Sequence, residues 1–311
     1  MDVRLADAEL EAFLDAFNAA PAPPATSVGA RALRAGAHER ALARPPGPRT
    51  AGVHDLAVPG GPAARLYRPT GSEPGLVVWF HGGGWVVGDL ETHDRACRRL
   101  AARSGLAVLA VEYRLAPEHP WPAAVDDAVA AVRWVRSGPE VLGAVPSRLA
   151  VAGDSAGGTL ATLACLRLRG EHPEALPDAQ VLVYANTDLT ASGGSMDSEG
   201  HGFGLEREGI EWFYDQYVPD RALRSDPRVS PLAEPDLTGL PAAVVVTCEH
   251  DPLRDQGEAY ARRLEEAGTP VTLRREAGMV HNFLLWDLAS PACAAAGDRV
   301  ADDLRRLLAA A

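Results

Sequence analysis

The stretch GDSAGG, residues 153–158, places Ser155 between two glycines, which is the spacing expected around a serine nucleophile. It follows the apolar run RLAVA and precedes ATLACLRLRG, a stretch compatible with a helix. A tight turn from strand to helix requires small residues, because the backbones meet there while the serine side chain is pushed outward. The GxSxG spacing also occurs in ordinary glycine-rich turns. The flanking elements nevertheless favour Ser155 as a nucleophile.

A serine hydroxyl needs a neighbouring base, and the base needs a carboxylate to orient it. Four histidines follow Ser155, namely His172, His201, His250 and His281. His172 is assigned to the end of the nucleophile helix, and His201 to the surface or lid of a glycine-rich segment. His281 lies six residues past the predicted strand PVTLRR, in the loop EAGMVHNF, from which it can reach the carboxyl edge of the sheet. We therefore interpret His281 as the base.

The orienting acid is expected at the end of the apolar run AAVVVTC, which His250 and Asp251 follow closely. Neighbouring residues in such a turn point in different directions, so one of the two is expected to face the site. Asp251 as the acid and His281 as the base match the chain order serine, acid, histidine. Asp188 and Asp255 are the competing acids.

The segment HGGGW, residues 81–85, directly follows the predicted strand LVVWF. Attack on a carbonyl generates an oxyanion, and glycines allow backbone N–H groups to approach it without obstruction. Gly83 and Gly84, with Ala156 after the nucleophile, are the predicted donors. The alternative is a flexible loop. His81 is interpreted as a residue that stabilises this loop by hydrogen bonding.

Apolar strands alternate with helical stretches from residue 76 onward, which is typical of a mostly parallel sheet covered by helices on both faces. The predicted helices cover about 92–103, 123–136, 156–169 and 254–268. The predicted strands are LVVWF (76–80), LAVLAVEY (106–113), RLAVAG (148–153), AQVLVYA (179–185), AAVVVTC (242–248) and PVTLRR (270–275).

The N-terminal region predicts two helices, over about 2–18 and 27–43, which end in a proline-rich stretch near residue 48. DLAVPG and ARLYRP follow as a predicted hairpin. The long gap at 188–240 holds one clear helical stretch, EREGIEWFYDQYV. We therefore divide the chain into an N-terminal helical cap segment, 1–48, and a catalytic domain, 49–311, in which 188–240 is a cap insertion.

Composition narrows the classes of partner and chemistry. The formal net charge of −12 over 311 residues opposes binding to nucleic acid or anionic membranes. All 30 basic residues are arginine, so a P-loop lysine, a Schiff-base lysine and a Ser-Lys dyad are excluded. The four cysteines, at 97, 165, 248 and 293, form no CxxC pair and are expected to be buried free thiols. No metal site and no cofactor is predicted.

The N-terminal stretch MDVRLADAELEAFLDAF carries acidic residues throughout, unlike a signal peptide. No run approaches the length of a transmembrane helix. We therefore expect a cytoplasmic protein that does not associate with membranes.

Together, HGGGW, YRLAPEHPWPAAVDD (113–127), GDSAGG, DPLRDQGEAYARRL (from 251) and HNF resemble the bacterial hormone-sensitive lipase family (family IV) of carboxylesterases. The resemblance covers most of the chain from about residue 50. It implies an α/β-hydrolase fold with a helical cap, a Ser155, Asp251 and His281 triad, and oxyanion donors at Gly83, Gly84 and Ala156. The resemblance also suggests that two copies of the chain form a dimer through the edge strand around PVTLRR.

The sequence departs from the family's pattern in two places: the N-terminal segment matches it poorly, and the residue after the histidine differs. The family usually has glycine after the catalytic histidine, whereas Asn282 stands there in this chain. The stretch YRLAPEHPWPAAVDD supplies no chemistry of its own, and we interpret its charged residues as a network that supports the glycine loop.

The predicted function is hydrolysis of short- to medium-chain acyl esters, a small-molecule ester being the partner. The aromatic residues Trp212, Phe213 and Tyr214 are expected either to limit the acyl pocket or to form the core of the lid. The alternatives are a deacetylase of a small metabolite and a binding protein on the same fold. The plant gibberellin receptors, which resemble the family but lack the catalytic histidine, exemplify the latter.

Overall fold

A computed structural model describes residues 5–19, 25–71, 75–143 and 146–310 of the chain. Eight strands form one sheet in the order β1-β2-β4-β3-β5-β6-β7-β8. The first two pairings, β1 with β2 and β2 with β4, are antiparallel, and all the others are parallel. The strands are β1 Gly52–Ala57, β2 Ala63–Arg68, β3 Gly75–Phe80, β4 Ala107–Glu112, β5 Arg148–Asp154, β6 Ala179–Val183, β7 Ala242–His250 and β8 Val271–Val280.

The helices lie mostly where the sequence predicts them, with ends shifted by a few residues. They are α1 Ala8–Ala19, α2 Ala25–Leu42, α3 Asp94–Ser104, α4 Ala123–Arg136, α5 Ala156–Glu171, α6 Ser195–Ser198, α7 Arg207–Tyr217, α8 Arg254–Glu266 and α9 Pro291–Ala310. The predicted first helix began at residue 2; residues 2–4 lie outside the described part of the chain, and residues 5–7 are not helical, so this helix begins later than predicted. The predicted hairpin is confirmed as β1 and β2, three and one residues earlier than expected.

The sheet is buried on both faces because side chains alternate along each strand. In β3, Val77 and Trp79 belong to one apolar cluster, and Val78 and Phe80 belong to another. The first cluster also contains residues of α1, α3 and α9, and the second contains residues of α4, α5, α7 and α8. This two-sided burial explains why the strands read as continuous apolar runs rather than as alternating ones.

Sequence analysis missed the C-terminal helix α9. Its buried residues Val300, Ala301, Leu304 and Leu308 follow helical spacing and pack into the cluster with Trp79. The periodicity was therefore present in the sequence, within a stretch rich in alanine and arginine.

The prediction that His281 lies in a loop six residues past its strand is wrong. β8 continues through EAGMV, and Val280 pairs with His250 of β7 after an irregularity in the register. Gly278, with a φ of 64°, lies in this last part of the strand. His281 therefore follows the final residue of a strand directly, which gives its side chain a fixed origin.

The N-terminal helices are attached to the rest of the chain at definite points. Leu10 and Leu14 of α1 are buried in the cluster with Trp79. The amide of Ala6 donates to the carbonyl of Gly278 at 2.9 Å. At the end of α1, Asn18 donates to the carbonyl of Gly202 at 2.9 Å, which joins this helix to the insertion. The division into segments 1–48 and 49–311, with 188–240 as a cap insertion, stays a prediction.

Gly157→Ala is expected to destabilise the fold, because a Cβ atom at this position would overlap the carbonyl oxygen of Phe80. Overpacking of this kind costs about 2–3 kcal/mol. The measurement is the free energy of unfolding in urea. Gly170→Ala, on the same helix, is the control, since nothing lies within 4 Å of the added Cβ atom. This variant should be neutral or stabilised by about 0.5 kcal/mol, and equal losses in both variants would contradict the packing argument.

Candidate active site

Ser155 lies between the last residue of β5 and the first residue of α5, with a φ of 53° and a ψ of −121°. Such a backbone conformation is strained for a residue that carries a Cβ atom. It is held by close packing, since a Cβ atom on Gly153 or Gly157 would overlap neighbouring backbone. The amide of Ser155 also donates to the carbonyl of Val183 at 2.9 Å. The two glycines of GxSxG therefore allow the neighbouring backbone segments to approach closely, which a side chain at either position would prevent.

Ser155, His281 and Asp251 form a continuous hydrogen-bonded chain. The Oγ atom of Ser155 lies 3.1 Å from Nε2 of His281, and Nδ1 of His281 lies 2.8 Å from Oδ2 of Asp251. The other oxygen of Asp251 accepts the amide of Leu253 at 2.8 Å. Asp251 and His281 are both buried. The structure thus brings together a hydroxyl, an imidazole and a carboxylate that the sequence separates by up to 126 positions.

The competing candidates lie in other contacts. Nδ1 of His250 is 3.1 Å from Glu199, and its ring stacks on Phe203 at 4.8 Å. Asp188 accepts the amide and hydroxyl of Thr190. Each of the three remaining candidates contacts a side chain of the opposite type, basic or acidic: Asp255 contacts Arg254, His201 contacts Glu206, and His172 contacts Glu174.

Asn282 has a φ of 68° and a ψ of 13°, the left-handed helical conformation. Glycine adopts this conformation without strain, and asparagine tolerates it better than most residues. Replacing the family's usual glycine by asparagine therefore preserves the turn after His281. Behind the imidazole, the ring of Tyr184 lies 4.5 Å from that of His281, between centroids, and fixes one of its faces.

The predicted oxyanion donors lie beside the serine. Gly83, Gly84 and Ala156 line the same cavity as Ser155. Gly83 has a φ of 118° and Gly84 a φ of 59°, so the loop depends on glycine at both positions. A Cβ atom on Gly84 would also overlap the ring of Phe213. Across the described ranges, no protein acceptor receives the amide protons of these three residues.

His81 anchors the start of the glycine loop. Its Nδ1 lies 2.8 Å from the carbonyl oxygen of Gly82, and its ring stacks on Tyr113 at 4.3 Å between centroids. The hydroxyl of Tyr113 donates to the carbonyl of His81 at 2.7 Å. Complete burial lowers the pKa of His81 to about 4, so its ring is neutral near pH 7. These contacts support the loop-stabilising interpretation of His81.

Sequence analysis missed the contribution of Asp154, which directly precedes the nucleophile. Its Oδ1 accepts the amide of Gly82 at 3.0 Å, and its Oδ2 lies 3.5 Å from Nε2 of His93. Burial by itself would raise the pKa of Asp154, but His93, His81 and the Gly82 N–H together outweigh burial and lower it. This buried carboxylate therefore links the nucleophile turn to the glycine loop. Its position inside GDSAGG was the available signal.

The predicted network around YRLAPEHPWPAAVDD includes a residue from the N-terminal region. Arg34 of α2 donates to the carbonyls of Val86 and Ala116, both at 2.6 Å, and pairs with Glu118 at 2.6 Å. Arg114 and Asp127 form a second ion pair at 2.8 Å. Arg34 thus fixes the end of the glycine loop to the segment that follows β4.

A cavity of about 370 Å³ opens above Ser155. Its walls are mainly apolar. The N-terminal helices and the insertion both contribute to them, beside the glycine loop and the turns that carry Ser155 and His281. The N-terminal helices contribute Phe17 and Ala41, and the insertion contributes Leu205 and Phe213. Tyr214 also lines the cavity, whereas Trp212 packs against the core cluster that contains Phe80. Tyr214 is also a buried member of that cluster, and Phe213 packs against it, so the expectation that these aromatic residues limit the acyl pocket stays a prediction.

The described part of the chain contains no group of three or more histidine, cysteine, aspartate or glutamate side chains arranged to hold a metal ion. Each of the four cysteines is buried and unpaired, as predicted. Among the residues described, no helix is long and apolar enough to cross a membrane.

Comparison with known proteins agrees with this geometry. Residues 77–285 match the model of a family described as having the alpha/beta hydrolase fold. The chain is 45% identical to the carboxylic ester hydrolase LipN of Mycobacterium tuberculosis, over 80% of this chain and 69% of that protein. It is also 45% identical to an ethyl acetate hydrolase of Pseudomonas putida, over 71% of this chain and 70% of that protein.

A solved structure extends the likeness to the N-terminal helices. The hyperthermophilic esterase of Pyrobaculum calidifontis superimposes with a TM-score of 0.89 at 35% identity, covering 97% of this chain and 99% of that one. The agreement supports the resemblance that the motifs carry. The chain therefore belongs to the alpha/beta hydrolase fold family, beside relatives that are carboxylic ester hydrolases.

Proposed function

We propose that this carboxylic ester hydrolase acts through Ser155, His281 and Asp251 and forms an acyl-enzyme on Ser155. The observation that carries the proposal is the chain of two contacts, 3.1 Å from Ser155 Oγ to His281 Nε2 and 2.8 Å from His281 Nδ1 to Asp251 Oδ2. A serine at its free pKa is a weak nucleophile, and a base within hydrogen-bond distance activates it.

In the first half-reaction, the Oγ atom of Ser155 attacks the ester carbonyl carbon while its proton passes to Nε2 of His281. The carboxylate of Asp251 accepts a hydrogen bond from the Nδ1–H group of His281 throughout, which fixes the tautomer and stabilises the imidazolium. The imidazolium then protonates the leaving alcohol as the bond from carbon to the alcohol oxygen breaks. The acyl group remains on Ser155.

The negative charge of the tetrahedral intermediate develops on the former carbonyl oxygen. The amides of Gly83, Gly84 and Ala156 are proposed to donate to it, since the three residues line the cavity beside Ser155 and, among the described residues, their amides donate to no backbone carbonyl. Donors placed in advance stabilise the transition state by about 3 kcal/mol each. The anchoring contacts of His81 and Asp154 hold the glycine loop in this position.

In the second half-reaction, water replaces the alcohol. His281 removes a proton from water, and the resulting hydroxide attacks the acyl carbon. Collapse of the second intermediate returns the proton to the Oγ atom of Ser155 and releases the acid. Every proton is supplied and recovered by the same imidazole, so the cycle closes without a cofactor.

Short- to medium-chain acyl groups are the proposed substrates. A cavity of about 370 Å³ is near the lower end of the range for small-molecule sites. Phe213 restricts its depth, because its ring lies against Gly84 in the glycine loop. The relative from Pseudomonas putida is named for the hydrolysis of ethyl acetate, a very short ester.

Ser155→Ala is expected to lower kcat for p-nitrophenyl butyrate by at least about 10⁴-fold, because the nucleophile is removed. Labelling by a fluorophosphonate should disappear as well. Ser137→Ala, at the end of α4, is the matched control and should keep both properties. Equal hydrolysis by the two variants would contradict the proposal. Absence of both hydrolysis and labelling in the wild-type protein would favour the ligand-binding alternative.

Phe213→Ala is expected to raise kcat/KM for p-nitrophenyl decanoate relative to the butyrate by about tenfold, because removal of the ring deepens the cavity. Phe213→Leu should give an intermediate ratio. Both variants are assayed across acyl chains of two to sixteen carbons. An unchanged chain-length profile would show that Phe213 does not limit the acyl pocket.

A further inference from the structure

One wall of the cavity is a stripe on α2 and the turn after it. Ala37, Arg40, Ala41 and Arg44 line the cavity, at intervals of three and four residues. Residues so spaced share one face of a helix. Arg40 is exposed and Arg44 is half-buried, so the stripe adds two cationic residues to the lining of a mostly apolar chamber.

Neither arginine is neutralised by a carboxylate in the described residues. Arg40 has no ion pair there, and Arg44 makes one hydrogen bond, at 2.9 Å to the carbonyl of Leu285. The charge of Asp287 acts on Arg44, but the carboxylate of Asp287 is already paired with Arg95 at 2.9 Å and with Arg99 at 3.4 Å. Most other arginines of this chain do have acidic partners, for example Arg65 and Arg224.

Partial burial makes the Arg44 charge costly, and it lowers the pKa of that residue. A guanidinium nevertheless remains protonated in proteins. A desolvated cation without a counter-ion gains strongly from an anion that reaches it, because charge-assisted hydrogen bonds are roughly twice as strong as neutral ones. This argument applies to Arg44, and the exposed Arg40 adds a second positive charge to the same stretch of the cavity lining.

No acid in the lining competes for this role. Asp154 lines the cavity, but it accepts the amide of Gly82 and lies beside His93. The formal net charge of −12 repels anions at long range, yet salt screens such repulsion beyond about 8 Å. At the site itself, the unpaired charge is positive.

We propose that the enzyme selects esters that carry a carboxylate at the end remote from the scissile bond, held by Arg40 and Arg44. This proposal rests on the proposed function of the site. The reactive carbonyl would lie at Ser155, the apolar part of the substrate would fill the cavity, and the carboxylate would reach the arginine pair. The carboxylate can belong to the acyl group or to the alcohol.

The test compares three methyl esters of equal length: monomethyl adipate, methyl 5-carbamoylpentanoate and methyl hexanoate. Acid release is followed by titration at constant pH. The wild-type kcat/KM for monomethyl adipate should exceed that for the carbamoyl ester by about tenfold, mainly through a lower KM. A second arm compares 6-acetoxyhexanoate with hexyl acetate, which decides whether the anion belongs to the acyl or the alcohol side.

The double variant Arg40→Gln and Arg44→Gln should lose the preference for the anion and keep kcat/KM for methyl hexanoate within about threefold. Arg40→Lys with Arg44→Lys should retain part of the preference, since the charge remains. Arg31→Gln is the matched control, because Arg31 lies on the same helix but outside the set of residues that lines the cavity. It should behave as the wild type.

Two outcomes would overturn the proposal. One is equal kcat/KM for anionic and neutral esters in the wild type on both arms. The other is an equal loss on anionic and neutral esters in the glutamine variant, which would indicate a structural role for the arginines. Failure of the wild type to hydrolyse any of the esters would instead contradict the proposed function, so the two hypotheses fail separately.

Discussion

The close approach of three backbone segments at the carboxyl end of β5 is the constraint on which the site depends. Gly153 and Gly157 admit the carbonyl of Phe80 where any side chain would collide. This approach holds Ser155 at a φ of 53° and places the loop after β3 beside the nucleophile. β7 and β8 end at the same edge of the parallel sheet, which brings Asp251 and His281 within reach.

Hydrogen bonds from two charged side chains also link these loops. Asp154 ties the nucleophile turn to the glycine loop, and Arg34 ties the far end of that loop to the segment after β4. The buried charge of Asp154 is expensive unless fully paired, so it strongly favours one arrangement of its loops, whereas Arg34 is only partly buried. The proposed donors for the oxyanion would thus be fixed before substrate arrives, which is the condition for effective electrostatic catalysis.

The sequence predicted the parallel sheet, because two-sided burial leaves continuous apolar strands. It also predicted Ser155, Asp251 and His281, since each follows such a strand in a required order. It missed the extension of β8 to Val280, because Gly278 interrupts the apolar pattern there. It also missed the roles of Asp154 and Arg34, since the partners of both lie in segments far apart in the chain; only the place of Asp154 inside GDSAGG gave a local signal.

Some residues that line the cavity lie inside the family match, and others lie outside it. The family match begins at residue 77, so Phe17, Arg40 and Arg44 lie outside it, whereas Ser155 and His281 lie inside. Under the proposed function, the residues of the reaction therefore lie within the part that matches the family model, and the two arginines of the proposed carboxylate site lie before it. On this proposal, exchange of residues 1–48 between related enzymes would alter the preference for anionic esters while leaving Ser155, His281 and Asp251 in place.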